Sequence, residues 1–76
     1  MTEPYEVLRS VSDKKFHLIV REGGLATLPN DVRNRGPWQV IGRGEVTRLR
    51  PVYRLALAQD GYCLEYTELA TFKPEA

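Results

Sequence analysis

Apolar and polar positions alternate over two stretches near the start of the chain, and that spacing predicts a β-hairpin. In Tyr5-Glu6-Val7-Leu8-Arg9-Ser10-Val11 the alternation gathers Tyr5, Val7 and Val11 on one face. In Phe16-His17-Leu18-Ile19-Val20-Arg21 it gathers Phe16, Leu18 and Val20, while Leu8 and Ile19 fall on the opposite face. Ser12-Asp13-Lys14-Lys15 is a polar connector of hairpin length, and Glu22-Gly23-Gly24 ends the second strand.

A short helix is expected next, over residues 28–36. Pro29 stands at its start, Asp31 in its first turn, and Arg33 and Arg35 in its last turn. Gly36 is placed to close it in the left-handed conformation. Trp38-Gln39-Val40-Ile41 follows as a short extended piece, halted by Gly42-Arg43-Gly44.

Residues 51–67 admit two readings. One is a helix over 51–60 stopped by Gly61, with Arg54 and Ala58 on its exposed edge and a returning strand over 62–67. The other is a hairpin turning on Asp60-Gly61, pairing Leu57 with Leu64 and Leu55 with Tyr66. Asp60 opposes the helix dipole, whereas Ala56 and Ala58 are poor strand residues, and the helix is preferred. The fold class expected is therefore α+β. A small antiparallel sheet, made of the N-terminal hairpin and a C-terminal strand, carries one or two short helices on one face. The hairpin reading would give a small all-β barrel instead.

Seventy-six residues fit a single domain over 1–76, with frayed ends at about 1–4 and 73–76. At 42% hydrophobic and 28% charged residues, the composition is too apolar for disorder. One cysteine cannot form an internal disulfide, so a reducing, cytoplasmic setting is expected. The longest apolar runs, such as Leu55-Ala56-Leu57-Ala58, fall far short of the ~20 residues that span a bilayer, so no membrane role is expected.

Charge changes this picture. The net charge of +1 conceals a basic centre: Arg33, Arg35, Arg43, Arg48, Arg50 and Arg54 face only Glu45 within residues 33–54, a balance of +5. The flanks balance at −1 and −3. Arginine's planar fork matches phosphate oxygens, and Trp38 and Tyr53 lie within the segment as stacking candidates for unpaired bases. Against this, Arg33 and Arg35 also suit a helix C-terminus, and a lone tryptophan suits a core. Arg48 and Arg50 also suit ion pairs with acidic residues of the C-terminal strand.

Motifs for chemistry are sparse. Gly42-Arg43-Gly44 lacks a following Gly-Lys-Ser/Thr and reads as a turn. His17 and Cys63 cannot between them furnish a zinc set, and His17 reads as a partly exposed residue of a strand face. Glu65 beside Cys63 raises the thiol pKa rather than activating it. Glu65 and Glu68 fall on opposite faces of a strand. Neither catalysis, a cofactor nor a metal is expected. If helices cover one sheet face only, then Leu8, Ile19 and Cys63 form an apolar strip on the other, unless residues 69–72 fold back over it. The expected function is a protein–protein interaction or regulatory module, with self-association into a homodimer as one form. Nucleic-acid or phosphate binding through the arginine segment is the alternative.

Overall fold

The predicted hairpin forms from β1 (Pro4–Ser10) and β2 (Phe16–Arg21), in a computed structural model that describes residues 3–67 and 72–75. The register sets Val7 opposite Ile19 and Leu8 opposite Leu18. Opposed residues share a face, so the two apolar sets separate. Tyr5 and Val7 lie with Ile19, whereas Leu8 lies with Leu18 and Val20.

The sheet is completed by β3 (Trp38–Glu45) on β1 and β4 (Tyr62–Tyr66) on β2, all antiparallel in the order β3-β1-β2-β4. It is an open sheet, not a barrel. Glycines 42 and 44 continue β3 rather than halting it. Gly44 lies opposite Tyr5, and a Cβ there would sit 2.6 Å from the Tyr5 hydroxyl oxygen, so this strand position accepts the tyrosine ring only as glycine. A bulge in β3 falls opposite the Val7–Leu8 step.

The preferred reading of the ambiguous region holds: α2 runs Pro51–Asp60. Gly61 closes it at φ 81°, donating its N–H to the Leu57 carbonyl at 3.0 Å. A type I′ hairpin would need positive φ at Asp60 as well, and no non-glycine residue adopts one among those described. The first helix, α1, is a single turn, Asn30–Arg33. Gly36 does not close it in the left-handed region; tight bonds from Arg35 to Val32 and from Gly36 to Arg33 end it, followed by a cis Gly36–Pro37 bond. Glycine is required at 36 for another reason: a Cβ would lie 2.7 Å from Cδ1 of Trp38.

Helices cover both faces rather than one. Leu57 of α2 packs with Tyr5, Val7, Ile19 and Leu49, flanked by Val46, Tyr53, Cys63 and Phe72. Val32 of α1 packs with Leu8, Leu18, Val20 and Leu28 on the opposite side, flanked by Trp38, Tyr62 and Leu64. The described C-terminal residues 72–75 run back against the rest of the chain. Glu75 bridges Leu49, the Arg50 N–H reaches the Pro74 carbonyl at 3.0 Å, and Phe72 stacks on His17 at 5.1 Å. At the other end, Pro4 opens β1, and the Glu3 carbonyl accepts from Val46 at 2.8 Å.

Candidate binding surface

The apolar strip expected from the sequence does not exist as a surface. Leu8 and Ile19 are 1% and 0% exposed, and they belong to opposite cores. The reason is the second cover: residues 24–32 close the face on which Leu8 lies. Cys63 is half-buried beneath α2, beside the core of Ile19 and Leu57.

Burial pushes the Cys63 thiol up to about 11, with Glu65 and then Asp60 adding to it. Tyr5 and Tyr53 are also raised above ten, first by burial, then by Glu75 and by Glu65 respectively. Arg50 works the other way on Tyr53. Each group is neutral while protonated, and the folded chain holds that proton more tightly than the unfolded chain. The Cys63 contribution to stability is therefore complete below about pH 9 and is lost as pH rises through about 11, and those of the tyrosines are lost only above their ordinary value of ten. Denaturant midpoints followed from neutral pH to about 11 should fall, and Cys63→Ser should remove the earliest part of the fall; a flat profile would contradict these environments.

His17 is buried rather than partly exposed. It lies between the Lys15 carbonyl, 3.3 Å from its Nδ1, and the ring of Phe72. Among the described residues no group of three histidine, cysteine or carboxylate side chains converges. Glu68 lies outside the described residues, as do residues 69–71 of the segment expected to fold back.

The six arginines diverge. Arg33 and Arg35 flank α1 on the Leu8 side, Arg33 donating to Asn30 Oδ1 at 2.6 Å and Arg35 lying 5.1 Å over the Phe16 ring. Arg43 meets Glu6 at 3.3 Å, and Arg48 meets Glu45 at 3.9 Å. Arg50 and Arg54 start α2 on the opposite side of the sheet. Trp38 packs at the edge of the Leu8 core, and its Nε1 is buried without a hydrogen-bond partner. Arg50 and Tyr53 share a hollow of about 360 Å³ with Glu65, Phe72 and Lys73.

One exposed apolar surface lies at β3. This strand is the longest of the four and stands at the sheet edge, and Val40 and Ile41 are 44% and 42% exposed. Helix α2 leans on β2 and β4, and among the described residues, 72–75 line the β3 side of its face. Between them opens a groove of about 330 Å³ over Tyr5, Val7, Ile41 and Gly42. A second exposed apolar pair, Val52 and Leu55, at 62% and 57%, lies on the outside of α2. Sequence reasoning found the first half of β3 as an extended piece but ended it at Ile41, because it read the two glycines as a stop. The available signal was Arg43, whose charge matches Glu6 across the pair.

Comparison with family models, with curated proteins and with solved structures finds no match. The surface must speak for itself.

Proposed function

We propose that this chain is a non-catalytic binding module that accepts an extended segment of a partner protein along the free edge of β3. The observation that carries this reading is the combination at one strand of greatest length, edge position and exposed β-branched side chains. The outward N–H and C=O groups of an edge strand are a template for another strand, and natural sheets usually blunt such edges. Strand addition uses those groups for affinity and the neighbouring side chains for selectivity.

The alternative, a phosphate-binding face, draws less support because the arginines lie on both sides of the sheet, and Arg43 and Arg48 are engaged by carboxylates.

The test is selection of binders from a displayed random-peptide library, followed by amide shift mapping on the assigned protein. Selected peptides should perturb residues 38–45 first. Perturbation centred on Val52 and Leu55, or on Arg33, Arg35, Arg50 and Arg54, would overturn the reading. Strand pairing seen at β3 without peptide, with a concentration-dependent rise in mass, would replace the foreign partner by a second copy. Val40→Glu and Ile41→Glu should each leave stability within about 0.5 kcal/mol, since both positions are exposed, yet weaken peptide binding.

A further inference from the structure

We infer that the segment received by β3 alternates apolar and acidic residues, its apolar side chains entering the groove over Gly42 and its carboxylates meeting Arg43. This rests on the strand-acceptor reading above. Over residues 42–45, past the bulge, an added strand continues the pleat of β3, so its side chains alternate between the two sheet faces. On the α2 face, a Cβ built at Gly42 meets nothing within 4 Å, and Val7 and Ile41 supply apolar walls. That opening takes a branched apolar side chain. On the other face stands Arg43, set there by its pairing with Glu6.

Charge decides what meets the arginine. The Arg43 side chain is 70% exposed, whereas the Glu6 carboxylate that holds its Nε is recessed at 14%. Farther along the same strand, Glu45 is likewise less exposed than its partner Arg48. On the groove side, Lys73 is exposed, and the Glu75 carboxylate accepts the Tyr5 hydroxyl. An approaching strand therefore meets cations outermost on both faces. A guanidinium held at Nε still offers its terminal nitrogens to a second carboxylate.

The experiment uses two short, end-blocked peptides, one alternating valine with aspartate and the other valine with lysine. The valine–aspartate peptide should shift the amides of residues 38–45 and bind at least about tenfold more tightly than its lysine counterpart, a preference that salt reduces. Arg43→Gln should abolish that preference. Gly42→Val should keep the fold, because its site is open and its φ is not positive, while filling the groove and removing binding of both peptides. Equal binding of both peptides at β3 would overturn the acidic specificity and leave the strand-acceptor reading standing. Shifts at β3 with neither peptide would overturn both.

Discussion

Leu57→Ala should cost about 2–5 kcal/mol, the ordinary penalty for emptying a buried leucine site. Leu57 is the buried residue of α2 and seats the helix on Tyr5, Val7 and Ile19. A chain of 76 residues has only about 4–11 kcal/mol to lose, so the variant should lie near the limit of folding. Leu55→Ala, two residues earlier, is the control. Leu55 is 57% exposed, and its truncation should stay within about 0.5 kcal/mol. Urea unfolding of both variants checks the pair. Equal losses would mean that α2 presents a different side to the sheet.

Two glycines two residues apart should respond in opposite directions. Gly44→Ala drives a methyl group into the Tyr5 ring, with contacts of 2.6 to 2.8 Å. Tyr5 is buried, and Glu75 holds its hydroxyl, so the ring has little freedom to yield. Overpacking of this kind costs about 1–3 kcal/mol, partly offset by the reduced freedom of the unfolded chain. Gly42→Ala meets open space and should stabilise by about 0.4–1 kcal/mol through that same unfolded-state effect. Thermal or urea midpoints for the two variants give the answer. A destabilised Gly42→Ala would contradict the groove itself.

What the sequence made legible was local. The alternation around Val7 and Leu18 found both strands of the hairpin, and β2 matches its expected residues from 16 to 21. Proline at 51 and glycine at 61 bounded α2 correctly, because both act through their own backbone geometry. The face assignments were not legible. Tyr5 and Leu18 are both apolar on alternating strands, but which set meets which depends on register, and the register puts them on opposite sides. A strand that is apolar on both faces, as β2 is with Leu18, Ile19 and Val20 buried together, signals a sheet covered twice. The expected strip of Leu8, Ile19 and Cys63 failed for that reason. Gly36 and Gly44 were misread because their function is to admit an aromatic ring from a distant or neighbouring position, a demand invisible to local turn rules. The arginines were visible as a segment, but the fold that distributes them over two sides was not.

The β3 edge is the central claim, and amide hydrogen exchange on the assigned protein, with and without the valine–aspartate peptide at saturation, tests it most directly. Amides on the outer edge of β3 should exchange rapidly in the free chain and gain protection in the complex, while those of β4 at the opposite edge remain unchanged. Slow exchange along the outer edge of β3 in the free chain, or protection appearing at β4 or α2 instead, would contradict a strand-accepting role for β3.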